Sequence, residues 1–237
     1  MRRAGQVVRE VLELVRGLVR PGATTLDLEK AAEARCNELG AKPAFKGYHG
    51  FPCVLCTSVN SEVVHGIPSA KRVLKEGEIV SVDFGAFVDG YCGDAAITVP
   101  VGEKIDPKTA RLLDVTEASL NAAIAVVKPG ATLGDVGWAV QKVVEAEGFS
   151  VVRDFVGHGI GSHMHEDTQV PNFGVAGRGM KLRAGMVIAI EPMVNAGKHD
   201  VVVLGDGWTA VTEDGSMSAH FEHTVAVTAT GARVLTE

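Results

Sequence analysis

The chain has 237 residues, 46% of them apolar, with a formal net charge of −6 and an isoelectric point near 5.8. That length supports one large core or two fused halves, and the acidic balance excludes a dedicated surface for nucleic acid or anionic membrane. Arg9, Glu10, Glu13 and Arg16 interrupt the first apolar residues, and no run approaches the roughly 18–20 apolar residues of a membrane span, so the chain reads as cytoplasmic.

Val8, Val11, Leu12, Val15, Leu18 and Val19 follow helical spacing, and the helix should start by about Gln6 and stop at Pro21-Gly22. Thr25 or Asp27 can cap a second helix over 26–39, ended by Gly40. Strand-like segments follow at 53–59 and 62–65. The four cysteines, Cys36, Cys53, Cys56 and Cys92, form no disulfide pattern and are expected as free thiols. Cys53 and Cys56 spell C-x-x-C, but on a strand that odd separation sends them to opposite faces, and no second pair completes a zinc site.

Next come two runs of β-branched, aromatic and small residues, 79–87 and 91–99, separated by Asp89-Gly90, the strongest short hairpin signal. A two-residue turn there sets Val88 opposite Tyr91, Asp83 opposite Ala96, and Asp94 opposite Gly85. Asp83 and Asp94 then share a face as diagonal neighbours, about 7–8 Å apart. They are either solvated charges on an open face or two acids that need a cation between them.

From about Thr109 the order helix, Pro-Gly, helix, Gly, strands recurs at an offset of 108 positions. The run from Val19 to Thr24 matches Val127 to Thr132. Asp27 matches Asp135, Gly40 matches Gly148, and the run from Leu74 to Asp83 matches Leu182 to Glu191. The chain reads as a single catalytic domain, 1–237, of two related α+β halves at about 6–108 and about 109–237. The repeat sets Glu191 where the first half has Asp83. Glu222, at the head of an alternating strand, is the expected partner of Glu191, as Asp94 is of Asp83. Between them lies an inserted hairpin, 199–204 and 208–211, around Gly205-Asp206-Gly207. Stacked about a pseudo-twofold axis, the halves would bring four carboxylates into one central cleft.

Four anionic donors in an apolar cleft suit a pair of divalent metals rather than one small cation. The segment from Val156 to Glu166 offers histidines and three alternating glycines that let backbone approach a crowded site. It contains neither a G-x-G-x-x-G turn nor an H-E-x-x-H pair. One imidazole with shared carboxylates is a donor set for Mn, Fe, Co or Zn, and such a pair activates water for hydrolysis.

The motifs Val82-Asp83-Phe84, Gly93-Asp94, Gly157-His158-Gly159-Ile160-Gly161, Ile190-Glu191-Pro192-Met193 and Glu222-His223-Thr224 resemble those of the type I methionine aminopeptidases, in their order. The strings Gly47 to Pro52 and Val64 to Pro68 are similar to that family as well. The resemblance covers nearly the whole chain. It implies the duplicated pita-bread (creatinase/aminopeptidase) α+β fold, with pseudo-twofold halves around a central antiparallel sheet. It also implies two divalent ions per chain. Asp83 would chelate one, His158 and Glu191 the other, and Asp94 and Glu222 would bridge both. His165 would hydrogen-bond the scissile carbonyl oxygen, His65 would contact the amide nitrogen, and Glu191 would also move the proton. Phe45, Tyr48, Phe51, Cys56, Met164 and Trp208 match the methionine pocket, with Phe45 and Met164 standing where relatives often differ. The implied reaction is removal of the initiator methionine from nascent proteins with a small second residue. A monomer would meet these N-termini at the ribosome.

Among the remaining histidines, His163 is expected on a solvent-facing loop, His223 beside Glu222 could orient that carboxylate, and His49, His199 and His220 are read as structural. Two alternatives remain. An X-Pro aminopeptidase or prolidase would share the five ligands, but usually carries an N-terminal domain for which a helix beginning near Gln6 leaves no room. A binding protein of the same fold that had lost its metals would not be expected to keep all five.

Overall fold

The computed structural model describes residues 1–237. Four α-helices, α1 (Arg2–Leu18), α2 (Thr25–Glu38), α3 (Pro107–Val126) and α4 (Leu133–Ala146), flank the strands. In the first half these are β1 (Lys42–Pro43), β2 (Cys56–Val59), β3 (Glu62–Val64), β4 (Ile79–Val88) and β5 (Tyr91–Pro100). The second half adds β6 (Ser150–Val151), β7 (Gly157–Gly159), β8 (Glu166–Val170), β9 (Val187–Ile190) and β10 (Met193–Asn195). It continues with β11 (Val201–Val203), β12 (Ala210–Thr212), β13 (Ser218–His220), β14 (Glu222–Val227) and β15 (Ala232–Val234). No helix is long and apolar enough to cross a membrane.

Local chemistry sets the boundaries that differ from expectation. Helix α1 begins at Arg2 because the Gly5 amide already bonds the Met1 carbonyl at 2.8 Å. The cap of α2 is Thr24, not Thr25 or Asp27: its hydroxyl accepts from the Asp27 amide, and the Asp27 carboxylate accepts from the Thr24 amide. Asp27 is thus the far side of a capping box, and Thr25 turns its hydroxyl to the Ser69 carbonyl. Strand β2 starts three residues later than expected, because the Val54 and Leu55 amides donate to the buried Glu29 carboxylate instead of to a strand. Cys53 therefore lies outside the strand, and all four cysteines are free thiols. The inserted hairpin is shorter than expected, since Asp206 collects the Trp208 and Thr209 amides into its turn.

The main sheet is nine-stranded and antiparallel, in the order β1-β4-β5-β14-β9-β7-β8, with β2 also on β4 and β15 on β14. Strands β13, β10 and β6 form a small sheet, as do β11, β12 and β3. Period-2 alternation gives the main sheet two unlike faces. Val80, Val82, Phe84 and Ala86 pack with Val8, Val11 and Leu28 of α1 and α2. Ile188, Ile190 and Val225 pack with Leu112, Leu120, Val136 and Val140 of α3 and α4. The helices cover one face, and the residues in between, Asp83 among them, point to the other.

The offset of 108 positions recurs in the backbone bonding. Gly22 bonds Leu74 and Gly130 bonds Leu182, both at 2.9 Å, while Thr24 bridges Val73 and Thr132 bridges Lys181. Thr132 and Asp135 form the same capping box as Thr24 and Asp27.

Candidate active site

The site grows from the β4–β5 hairpin. Asp89 and Gly90 take φ of 50° and 79°, the left-handed pair of a two-residue hairpin turn. Its register sets Asp83 opposite Ala96 and Gly85 opposite Asp94, as the sequence predicts. Gly85 is required there: a Cβ would lie 2.8 Å from the Phe45 ring and 3.2 Å from Asp94 Oδ1. Strand β14 lies beside β5 with Glu222 opposite Ala96, and the Thr224 hydroxyl accepts from the Asp94 amide and donates to the Asp94 carbonyl. Glu191 leaves the end of β9, its carbonyl held by Asn172 Nδ2 at 3.0 Å. His158 sits at the centre of β7, which approaches β9 so closely that a Cβ on Gly157 would lie 2.3 Å from the Ala189 carbonyl oxygen.

These elements bring all four carboxylates and His158 into one cleft of about 140 Å³. Single donor atoms of Asp94, His158 and Glu222 lie within 4.8 Å of one another, and His158 Nε2 is 3.6 Å from Glu191 Oε1. Asp94 and Glu222 are each 3% exposed. Asp83 Oδ1, Asp94 Oδ1 and Glu222 Oε1 are buried without any hydrogen-bond partner. Such orphaned carboxylate oxygens are rare and costly in a protein interior. Burial pushes all four carboxyls above their usual range, and their neighbouring acids add to the rise at Asp83, Glu191 and Glu222. The residues therefore fit a divalent cation, which supplies the positive charge that the protein itself does not.

The histidines carry the complementary half of that argument. His158 Nδ1 is 2.9 Å from the Gly159 carbonyl, which only accepts, so Nε2 keeps its lone pair toward the cleft. Burial and then His165 push the His158 ring down to about 4, which keeps it neutral and able to ligate. The same two causes push His65 down to about 4. His65 also holds a left-handed φ of 61°, with its ring edge-on to Phe155. His165 lies at the open side, its ring 4.2 Å from that of His158 and its Nδ1 3.0 Å from the Tyr48 hydroxyl.

The other end of the cleft is apolar. Phe45, Phe51, Cys56 and Met164 are buried, Tyr48 and Trp208 are half-buried, and the Phe51 and Trp208 rings meet edge to face at 5.1 Å. Every residue expected as a metal ligand, catalytic histidine or pocket wall lines this one space, joined by His49.

Two histidines depart from expectation. His223 does not orient Glu222: strand alternation turns it to the opposite face, where Nδ1 bonds the Thr236 hydroxyl at 2.8 Å. His220, read as structural, is 2% exposed, and its unpartnered Nε2 lies 4.0 Å from Glu191 Oε2. Burial pushes its ring down to about 3. The sequence signal for it was its place two residues before Glu222, at the end of β13 where the chain passes through Phe221 into β14. His163 is exposed, as expected.

Residues 1–229 match metallopeptidase family M24. The chain is 50% identical over 236 residues to a methionine aminopeptidase of Clostridium acetobutylicum, covering 100% of this chain and 94% of that one. The crystal structure of methionine aminopeptidase from Thermotoga maritima superposes with a TM-score of 0.98 at 51% identity, over 100% of this chain and 95% of that one. A prolidase from Pyrococcus horikoshii shares the fold at a TM-score of 0.78 and 21% identity, with 60% of its chain covered.

Proposed function

Because the chain belongs to metallopeptidase family M24, we propose that it removes the N-terminal methionine from nascent polypeptides whose second residue is small. The observation that carries this reading is one cleft holding buried, unpartnered carboxylates beside an apolar end. Whole-length relatives at half identity favour methionine release over X-Pro cleavage, because the prolidase likeness is one of fold alone.

On this reading Asp83 would hold one divalent ion, His158 and Glu191 a second, and Asp94 and Glu222 both, the ions being Mn, Fe, Co or Zn. When bound, they supply Lewis acidity toward the carbonyl and a water that ionises near neutral pH. The protein's residues do the rest. The apolar end takes the methionine side chain, with aromatic edges and soft sulfur against the thioether. The Glu191 carboxylate accepts the proton of the attacking water as oxygen bonds to the carbonyl carbon. It returns that proton to the departing nitrogen as the C–N bond breaks. His165 donates to the carbonyl oxygen as negative charge collects there. His65 contacts the amide nitrogen and assists its departure. The protein works as a monomer in the cytoplasm, on N-termini emerging at the ribosome, and its two halves act as a single catalytic domain.

The test is a set of peptides incubated with Mn²⁺ or Co²⁺ and followed by mass spectrometry. Methionine release from Met-Ala-Ser, with Met-Leu-Ser and Ala-Pro-Ala intact, is the expected result. Preferential cleavage of Ala-Pro-Ala would overturn the substrate assignment.

A further inference from the structure

His158 and His165 stand nearly perpendicular with ring centroids 4.2 Å apart, yet their Nδ1 atoms face different partners, a carbonyl that can only accept and a phenol that can donate. The Gly159 carbonyl at His158 Nδ1 can only accept, which leaves Nε2 unprotonated. His165 Nδ1 instead faces the Tyr48 hydroxyl at 3.0 Å. A phenol carries its proton at neutral pH, and burial pushes the Tyr48 phenol further up. The hydroxyl can give that proton to the imidazole lone pair, and with Nδ1 accepting, the ring's own proton sits on Nε2.

We propose that the Tyr48 hydroxyl is a positioning group that fixes His165 in the Nε2–H tautomer, so that His165 presents a donor to the scissile carbonyl oxygen. The catalytic part of this inference rests on the reading of His165 given above. Two neighbouring imidazoles are thereby given opposite tautomers, one shaped to ligate and the other to donate. The Tyr48 hydroxyl is the one hydrogen-bond partner of the His165 ring, so without it the donor would be present in only part of the molecules.

The backbone around Tyr48 is built for a fixed position. Gly47, His49 and Gly50 take φ of 85°, 49° and 91°. Left-handed φ at a non-glycine residue such as His49 is costly, and persists where the surroundings hold it. The loop is closed by the Gly47 amide on the Phe51 carbonyl at 2.8 Å and the Tyr48 amide on the Phe45 carbonyl at 2.9 Å. The Tyr48 and His165 rings meet edge to face at 5.2 Å. The ring of Tyr48 lines the methionine pocket while its oxygen serves the neighbouring histidine, so the two roles separate on removal of one atom.

The experiment is ¹⁵N-histidine NMR on the metal-free chain of residues 1–237 and its Tyr48→Phe variant, together with steady-state kinetics on Met-Ala-Ser. In the unsubstituted protein, His165 should be protonated on Nε2 and His158 on Nδ1. In Tyr48→Phe the His165 signals should shift toward a mixture of tautomers, while those of His158 stay unchanged. The kinetics should show kcat lower by about 10- to 100-fold with KM within about twofold, as for an interaction made only in the transition state. A wild-type His165 protonated on Nδ1 would overturn the proposal, as would an unchanged tautomer in Tyr48→Phe, or a raised KM at constant kcat. The spectra need no turnover. Failure of every peptide to react would therefore count against the assigned activity, while the tautomer would still be decided by the NMR.

Discussion

The two halves of this protein share a scaffold and differ in chemistry. Thr24 and Thr132 close identical capping boxes, and the same pair of bonds ties each helix entry to the segment leading into β4 or β9. At the equivalent positions 83 and 191, however, one half carries aspartate and the other glutamate. Asp83 sits mid-strand opposite Ala96, held on a rigid hairpin. Glu191 lies just past the end of β9, with one oxygen toward His158 and the other toward His220. The shorter acid is fixed, and the longer one has reach and imidazoles beside each oxygen. A duplicated backbone thus supplies symmetry of position, and side-chain length sets what each acid can reach.

Substitutions can break this comparison. Asp94→Asn removes a charge that both proposed ions would share, and activity should fall by at least about 1,000-fold together with bound metal. Retained turnover and full metal content would mean that the ligand set is misassigned. The equivalent pair Asp83→Asn and Glu191→Gln should separate under excess Mn²⁺. The first should regain part of its activity, because its fault is affinity. The second should stay about 100- to 10,000-fold low in kcat, because the proton carrier proposed above is gone. Equal rescue of both would erase the division of labour.

Chelation reads the electrostatics of both halves at once. The four carboxyls of the site are pushed upward by burial. A raised acid binds its proton more tightly folded than unfolded, so its destabilising effect is absent at pH values below the unfolded pKa. It grows as pH rises toward and through the folded one. Metal-free protein should therefore lose thermal stability between about pH 5 and pH 8, by about 2–4 °C per kcal/mol, and Mn²⁺ should restore it. A metal-free melting temperature that rises over that window would contradict the picture. The smallest effect should come from the caps. Thr24→Ala and Thr132→Ala should each cost about 1 kcal/mol in urea unfolding, with kcat unchanged. A clearly unequal cost would show that the halves differ in scaffold as well as in chemistry.

Much of this was legible in the chain itself. The Asp89-Gly90 turn dictated the register of Asp83 and Asp94, and the offset between Gly22 and Gly130 led from Asp83 to Glu191, because short-range turn chemistry and duplication are both written in order. What escaped depends on partners distant in sequence. Thr25 rather than Thr24 was taken as a candidate cap, because either hydroxyl stands near Asp27 and only the chain's entry angle decides. The strand expected from Cys53 was cut short by Glu29, a buried acid from α2 that captures the Val54 and Leu55 amides. His223 adjoins Glu222 in the chain yet faces away from it, because neighbouring residues of one strand point to opposite faces, while His220 comes within 4.0 Å of Glu191 from the end of the preceding strand. The Tyr48 hydroxyl at His165 joins residues 117 positions apart, and no local pattern encodes it.

The most direct test of the central claim is calorimetric titration of chelator-treated protein with Mn²⁺. Binding of two ions per chain, reduced in Asp94→Asn, is the predicted result. Fewer than one ion bound at saturation would contradict it.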